Sequence, residues 1–350
     1  MPQAYGYAAQ APKVPLAPFS FERRDLKEQD VKIEIKFCGI CHSDVHQARD
    51  EWFAGIFPMV PGHEIAGVVT AVGSGVTKYK VGDHVGVGCF VDSCRQCHEC
   101  VEGENNYCLV GMNATYNGRE KDGSPTYGGY SDHIVVDENY VLRIPENLPL
   151  DAAAPLLCAG ITLYSPLHHW GAGPGKKVGI VGLGGLGHMG VKLSHALGAH
   201  TTVFSQSMKK ADDAKRLGAD DFFAMSDPES LKPLAGTFDL IISTVGVAMD
   251  FGPYLQMLKK DGSLVLVGAP EENSNFNAFG VIVGRKSIAG SMIGSIQETQ
   301  EMLDFCGKHN IVSDIEITPI DKVNEAYDRM IKSDVRYRFV IDLATLAKSA

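Results

Sequence analysis

Four cysteines within fifteen residues are the densest group of potential metal ligands in the chain. They follow the spacing Cys94-x2-Cys97-x2-Cys100-x7-Cys108. Four thiolates so spaced can close the tetrahedral shell of a structural zinc ion, which leaves no coordination position for a substrate. The alternative is an iron–sulfur cluster, whose bacterial pattern has a last gap of three residues followed by proline. Here the last gap is seven and Leu109 follows, so we predict a structural zinc lobe over about residues 94–108.

A second group of potential ligands lies upstream and fits a catalytic zinc, which takes three protein ligands and keeps a fourth position open. Cys41 and His63 are plausible first ligands, because Cys41 directly precedes a predicted helix whose N-terminus favours a thiolate. The pair Cys38 and Cys41 is an alternative zinc half-site, although the strand pattern predicts that Cys38 points away from the apolar face. Spacing alone does not identify the third ligand. Its candidates are Cys89, Cys158 and Cys306.

A hydroxyl and an imidazole follow Cys41 at helical spacing. Ser43 and His46 are three positions apart, so a helix would place both on one face. That arrangement suits a relay that carries a proton from Ser43 to His46 and then to solvent. The structural alternatives are a helix cap for Ser43 and a plain surface position for His46.

A glycine turn indicates a dinucleotide site. Gly182–Gly187 reads G-x-G-x-x-G, follows a short apolar strand and opens an amphipathic helix, which is the context this motif requires. The end of the next strand carries Ser205, Ser207 and Lys210 instead of the Asp or Glu that usually binds the ribose of NAD. We therefore predict NADP, with the alternative that the lysines only form a solvated helix start.

These residues require two kinds of scaffold. Up to about residue 150 the chain alternates like Val31–Phe37 or is interrupted by glycines, which is typical of β-structure. The polar, glycine-rich segment 111–129 is predicted as a surface loop. From about residue 170 strands alternate with helices, which predicts an α/β fold with a doubly wound parallel sheet. Its six predicted strands are 177–181, 201–204, 221–224, 238–242, 263–267 and 287–291.

Length and composition limit the class of protein. With 350 residues the chain exceeds one ordinary core, so we expect two domains. Its net charge of −10 argues against a nucleic-acid or anionic-membrane partner. No apolar run is long enough to span a membrane and no signal peptide is visible, so we expect no membrane association and a cytoplasmic location.

Several motifs together resemble one known family. They are Cys38–His46, Pro61–Gly67, the four-cysteine run, Ala154–Thr162 and the glycine turn, and they occur in this order between about residues 30 and 342. In these motifs the chain resembles the zinc-dependent medium-chain alcohol dehydrogenases, in particular the branch of the cinnamyl alcohol dehydrogenases and bacterial broad-range aldehyde reductases. The resemblance implies a GroES-like β-barrel catalytic domain (1–158 and 297–350) and a Rossmann NADP-binding domain (159–296).

The resemblance also implies roles for individual residues. Cys158 becomes the third catalytic zinc ligand, Glu64 a carboxylate near that zinc, and Asp44 the group that orients His63, while Ser43 and His46 form the relay. It assigns these residues to the cofactor: Thr162, Gly182, Gly184, Gly185, Leu186, Gly187, Ser205, Ser207, Lys210, Val245, Gly268, Ala269, Ser291 and Ile293. Two departures are Gln206 at the phosphate site and Trp52-Phe53 in the substrate region.

The implied activity is zinc-dependent hydride transfer between NADP(H) and a primary alcohol or aldehyde, with two zinc ions per chain. We expect aldehyde reduction over a broad substrate range, in a cleft between the domains. By the same resemblance, the 287–294 strand pairs two chains into a homodimer. The alternatives are a zinc-free reductase of quinones or enones and a non-catalytic NADPH sensor. Neither explains the ligands and the relay together.

Overall fold

The computed structural model describes residues 2–52 and 54–347; Phe53, named above for the substrate region, lies outside these residues. The described chain forms two compact units. The first unit combines the segment ending at Cys158 with the segment beginning at Ser295. The second unit spans Ala159–Gly294.

The first unit is built mainly from strands. They are β1 (Gln3–Ala8), β2 (Ala17–Glu22), β3 (Asp30–Gly39), β4 (Ile65–Val72), β5 (His84–Val87), β6 (Phe90–Asp92), β7 (Asn113–Ala114), β8 (His133–Asp137) and β9 (Leu142–Arg143). The second unit contributes β10 (Lys177–Val181), β11 (His200–Ser205), β12 (Asp221–Ala224), β13 (Phe238–Ser243), β14 (Leu258–Leu266) and β15 (Ser287–Gly290). The C-terminal segment adds β16 (Ile315–Pro319) and β17 (Arg338–Asp342) to the first unit.

Helices occur in both units. They are α1 (His42–Ala48), α2 (His98–Val101), α3 (Leu150–Ala153), α4 (Ala159–His169), α5 (Gly187–Ala196), α6 (Ala211–Leu217), α7 (Pro228–Leu231), α8 (Gly252–Met257), α9 (Phe279–Ile282), α10 (Ile296–His309) and α11 (Val323–Ile331). Short 3-10 turns occupy Asn105–Tyr107, Glu138–Tyr140, Ala154–Leu157, Met208–Lys210, Lys232–Leu234, Ile320–Lys322 and Leu343–Thr345.

The main sheet of the first unit brings both ends of the chain together. Its order is β16-β17-β3-β4-β5-β9, and β8 also pairs with β3. The C-terminal β17 runs antiparallel to β3, with Val340 opposite Gly39. The polar orientation predicted for Cys38 is wrong, because Cys38 is fully buried. The register of β3 against β4 shifts between Ile35 and Phe37, which interrupts the simple alternation on which that prediction depended.

The second unit confirms the predicted parallel sheet. Its order is β12-β11-β10-β13-β14-β15, and every neighbouring pair is parallel. The chain order reverses at β10, and such a switch point is where open α/β sheets bind ligands, outside the carboxyl ends of the strands. Phe204 on β11 and Phe238 on β13 are fully buried and meet edge to face at 5.4 Å between ring centroids.

Within the described residues no single helix is both long and apolar enough to cross a membrane. One bent pair of helical segments, Leu150–Leu157 with Ala159–His169, is long and apolar enough for a membrane span, by length and composition only.

Candidate metal centres and cofactor site

The four-cysteine run forms one thiol cluster at the surface of the first unit. The Sγ atoms of Cys94 and Cys100 are 3.9 Å apart and those of Cys97 and Cys108 are 4.0 Å apart. Tetrahedral zinc with sulfur at about 2.3 Å requires about 3.8 Å between sulfurs, so the donor set fits this metal. The backbone amides of Leu109 and Cys100 lower the pKa of Cys97 to about 6, which favours the thiolate that binds zinc.

A second cluster gathers Cys41, His63, Glu64 and Cys158, whose potential ligand atoms all lie within 4.8 Å of one another. All four residues are buried. Cys158 follows the 3-10 turn at Ala154–Leu157 and brings its Sγ to 3.9 Å from Cys41 Sγ and 3.3 Å from Nε2 of His63. The hydrogen bond with Cys158 lowers the pKa of the Cys41 thiol well below its ordinary value. Two thiols and one imidazole at these separations are a donor set for catalytic zinc.

Asp44 holds His63 from behind. Its Oδ1 lies 3.3 Å from Nδ1 of His63 and accepts a hydrogen bond from the amide of Gly62 at 3.1 Å. Its Oδ2 accepts from the amide of Cys41 at 2.8 Å, across the N-terminus of α1. Gly62 must be glycine, because its φ is +104° and a Cβ would lie 2.7 Å from Cys38 Sγ. With Nδ1 directed at a carboxylate, Nε2 is the atom left for a metal.

Glu64 shares the cluster with a cation that our sequence analysis missed. Arg338 on β17 donates a hydrogen bond to Oε1 of Glu64, and both side chains are buried. Burial raises the pKa of Glu64, and the charge of Arg338 opposes that shift. Oε2 of Glu64 has no hydrogen-bond partner among the described residues. An unpartnered carboxylate oxygen beside two thiols and an imidazole fits a site that binds a cation. An arginine in the otherwise apolar strand Arg338–Asp342 was the available signal.

The two relay candidates lie on α1 but have different partners. Ser43 Oγ accepts from the Cys41 thiol at 3.5 Å, which places it at the edge of the metal cluster. His46 is partly exposed; its Nδ1 is 2.8 Å from Oε2 of Glu51, and its ring stacks on Trp52 at 4.6 Å. The structure therefore orients His46 through Glu51 and Trp52, two residues that our sequence analysis did not include in the relay.

The segment predicted as a polar surface loop is partly buried, and that prediction is wrong for Tyr116. Tyr116 is 3% exposed, and its ring stacks on His63 at 5.8 Å between centroids. Thr115 is also buried and donates a hydrogen bond to the carbonyl of Gly88 at 2.6 Å. The high polarity and glycine content of this segment concealed these buried side chains.

In the second unit the glycine turn connects β10 to α5. Gly182 has a φ of +90°, and a Cβ on Gly187 would overlap the Gly182 carbonyl. Both positions therefore require glycine for the turn itself. A Cβ on Gly184 would meet no atom of the other described residues within 4 Å, so packing does not require glycine at this position. Gly184 leaves open space where the backbone of this motif approaches a pyrophosphate.

The predicted phosphate-binding residues lie at the carboxyl end of the neighbouring strand. Ser205 is the last residue of β11, and Ser207 precedes the 3-10 turn Met208–Lys210. Nζ of Lys210 donates to the carbonyl of Leu183 at 2.7 Å, so this ammonium group lies beside the glycine turn. The structure thus brings the two motifs together, although they are more than twenty residues apart in sequence.

Five of the other predicted cofactor residues also follow the carboxyl ends of strands in the parallel sheet. Val245 comes after β13, Gly268 and Ala269 after β14, and Ser291 and Ile293 after β15. A Cβ on Gly268 would contact the Val245 backbone, so these two segments are in close contact. Thr162 lies buried on α4. Gly185 and Leu186 complete the turn before α5.

Comparisons with known proteins agree with these features. The model of the alcohol dehydrogenase GroES-like domain matches residues 27–146, and the model of the zinc-binding dehydrogenase family matches residues 185–308. A Mycolicibacterium smegmatis protein named NADP-dependent alcohol dehydrogenase C 1 is 60% identical to this chain. The match covers 97% of this chain and 98% of that protein.

Two solved structures are similar over almost the whole chain. A cinnamyl alcohol dehydrogenase of Sorghum bicolor has a TM-score of 0.96 at 48% identity, covering 100% of both chains. A cinnamyl alcohol dehydrogenase of Helicobacter pylori, solved with NADP(H), has a TM-score of 0.92 at 43% identity, covering 99% of both chains. The predicted fold class, a GroES-like domain with a Rossmann domain, is confirmed. The chain belongs to the zinc-binding alcohol dehydrogenase family.

Proposed function

We propose that this alcohol dehydrogenase transfers hydride reversibly between NADP(H) and primary alcohols or aldehydes, and that it acts mainly as a broad-range aldehyde reductase. The observation that carries the proposal is the cluster of Cys41, His63 and Cys158. It offers three protein ligands, with Asp44 behind the imidazole. The four-cysteine cluster, by contrast, fills a tetrahedral shell completely and serves the fold.

Each residue of the proposed site has its own role. Zinc held by Cys41, His63 and Cys158 would supply a Lewis acid at the reacting oxygen. Ser43 lies at the edge of that cluster and holds the proton of the alcohol, while His46 passes it to solvent. Asp44 fixes the orientation of His63, and Glu64 adds a buried carboxylate whose charge Arg338 balances.

NADP(H) is the proposed cofactor and would supply or accept the hydride. Gly182, Gly184, Gly185, Leu186 and Gly187 would bind its pyrophosphate, and Ser205, Ser207 and Lys210 its 2′-phosphate. The contact between Lys210 and Leu183 supports this assignment, because it holds the ammonium group beside the turn. The names of the M. smegmatis relative and the H. pylori structure, which both refer to NADP, support it too. Thr162 would also contact the cofactor, and Val245, Gly268, Ala269, Ser291 and Ile293 would line the nicotinamide.

A substrate panel tests the proposal. Purified protein is assayed with aliphatic and aromatic aldehydes and the matching alcohols, each with NADPH or NADP⁺ and with NADH or NAD⁺. We expect reduction of several aldehydes with NADPH, at a higher kcat/KM than with NADH. The absence of turnover in protein shown to contain zinc would contradict the proposed activity. Turnover of a single aldehyde would contradict the broad range alone.

We further propose that residues 1–158 and 297–350 form the catalytic domain and that residues 159–296 form the cofactor domain of a homodimer. β15 lies at an edge of its sheet, and Phe279, Ile282 and Val283, a few residues before it in the chain, are each about two-thirds or more exposed. Exposed apolar side chains next to an open edge suit a partner surface. Light scattering should give the mass of two chains, and Phe279→Glu should shift it towards one. A monomeric native protein would contradict this assembly.

The proposed cysteine ligands support a cytoplasmic location. Six cysteines serve as proposed metal ligands and must stay reduced to bind zinc, which the cytoplasm ensures.

A further inference from the structure

A buried tyrosine hydroxyl stands behind each of the two metal clusters. Tyr130 donates to Oδ2 of Asp44 at 3.0 Å, and the hydroxyls of Tyr140 and Ser93 are 2.7 Å apart. The two tyrosines are 0% and 2% exposed. We propose that Tyr130 is a positioning residue for the catalytic zinc, acting through Asp44 and His63, and that Tyr140 has the same role for the structural zinc. This inference rests on the two zinc sites of the proposed function.

The route from Tyr130 to the metal ligands is continuous. Tyr130 reaches Oδ2 of Asp44, and Oδ1 of the same carboxylate lies 3.3 Å from Nδ1 of His63. The Nε2 atom of His63 then faces Cys158 at 3.3 Å. Asp44 is fully buried, so each hydrogen bond that it accepts replaces one that water would otherwise supply. Without the phenol, Oδ2 loses one of the two hydrogen bonds that it accepts among the described residues, and the bond from the amide of Cys41 stays. With one hydrogen-bond donor fewer, the Asp44 carboxylate rotates more easily, and the orientation of the His63 imidazole is less firmly fixed.

The C-terminal segment fixes the direction of the Tyr130 hydroxyl. Tyr327 on α11 donates to the Tyr130 oxygen at 3.4 Å, and the two rings meet edge to face at 6.4 Å. Because the Tyr130 oxygen already accepts a hydrogen bond from Tyr327, its own hydrogen is directed at Asp44. This chain of two hydroxyls links α11 to the metal ligands.

At the other cluster the route is shorter. Ser93 is buried, and its Oγ accepts from the Cys100 thiol at 3.2 Å. The Ser93 hydroxyl therefore lies between the Cys100 sulfur and the Tyr140 hydroxyl. Tyr130→Phe and Tyr140→Phe each remove one buried hydroxyl from a ring of the same size. They are therefore matched controls for each other.

The test follows the release of zinc from the purified holoenzyme to a coloured chelator, 4-(2-pyridylazo)resorcinol. A Cys158→Ser chain, which retains the four-cysteine cluster, identifies the phase that belongs to the structural zinc. We expect Tyr130→Phe to accelerate the catalytic-site phase about 10-fold and to leave the structural phase within about 2-fold. Tyr140→Phe should show the reverse. If Tyr130→Phe does not fold, Tyr327→Phe should accelerate the catalytic-site phase alone, by a smaller factor.

The outcomes separate positioning from general loosening. If Tyr130→Phe accelerates both phases equally, the residue only stabilises the fold and the inference is overturned. Unchanged zinc release from Tyr130→Phe overturns the inference as well. If Tyr130→Phe does not fold, unchanged release from Tyr327→Phe has the same consequence. A wild-type chain with fewer than two zinc ions would overturn the proposed function together with this inference. Two bound zinc ions with unaltered release would overturn the inference alone.

Discussion

The guanidinium of Arg338 pairs with the carboxylate of Glu64 across 274 positions of sequence. The Arg338 side chain is 3% exposed and that of Glu64 is 0% exposed. Arg338 lies on β17, which pairs with β3, so the pair ties the C-terminal segment to the metal cluster. Each of these two buried charges is stabilised by the other, because neither is solvated by water.

Loss of one partner should therefore be costly. We predict that Arg338→Met lowers the free energy of unfolding by about 3 kcal/mol, since it leaves the Glu64 carboxylate buried without its counter-charge. Urea unfolding of the zinc-loaded protein measures this difference. The double variant Arg338→Met/Glu64→Gln should recover at least half of the loss, because it removes both charges. Equal stability of the single and the double variants would contradict the coupling.

The sequence predicted the local parts of the site better than the long-range ones. Cys41, Ser43 and His46 are neighbours along the chain, and the spacing of the four cysteines already specifies a small loop, so local rules suffice for both. The position of Cys158 depends on how the 3-10 turn Ala154–Leu157 packs, and only the family resemblance identified this residue. Arg338 and Tyr130 come from distant strands and loops whose pairing no spacing rule contains. The six parallel strands were predictable because each has its own apolar run between turn residues.

The relay predicts a loss of turnover without a loss of cofactor binding. Ser43→Ala should lower kcat about 100-fold, because it removes the hydroxyl that holds the proton at the metal cluster. The dissociation constant of NADPH, measured by fluorescence, should stay within about 2-fold. Ser43→Thr retains a hydroxyl and should restore much of the rate. A kcat of Ser43→Ala equal to that of the native protein would remove Ser43 from the relay.

His46 should matter through its charge and its orientation. His46→Gln should reduce kcat about 10-fold or more. Glu51→Gln should have a smaller effect in the same direction, because it leaves the stacking on Trp52 intact. The test is steady-state kinetics of the two variants over a range of pH. Full activity of His46→Gln at every pH would show that the proton leaves by another route.

Lys210 should discriminate between the two nicotinamide cofactors. Lys210→Ala should weaken NADPH binding about 10- to 100-fold, which is the effect of losing one charge-assisted hydrogen bond to a phosphate. NADH lacks that phosphate and should lose much less affinity. Lys209→Ala is the matched control and should leave both affinities nearly unchanged. Equal losses for NADPH and NADH in Lys210→Ala would refute the 2′-phosphate assignment.

Two glycines of the turn should respond differently to the same substitution. Gly187→Ala should lower the free energy of unfolding by about 1–3 kcal/mol, because its Cβ would overlap the Gly182 carbonyl. Gly184→Ala should leave stability unchanged, since its Cβ would meet no atom of the described neighbours within 4 Å. It should nevertheless weaken NADPH binding, because the proposed site places the pyrophosphate in that space. Thermal unfolding and cofactor titration of both variants check this, and tight NADPH binding by Gly184→Ala would contradict the proposed site.

The most direct test of the central claim is the zinc content of the native chain and of Cys158→Ser, measured by plasma mass spectrometry beside aldehyde reduction with NADPH. We predict two zinc ions in the native protein. Cys158→Ser should retain one zinc ion and the folded structure but lose turnover. Two zinc ions in an active Cys158→Ser chain, or one or none in an active native chain, would contradict the assignment of a catalytic zinc to Cys41, His63 and Cys158.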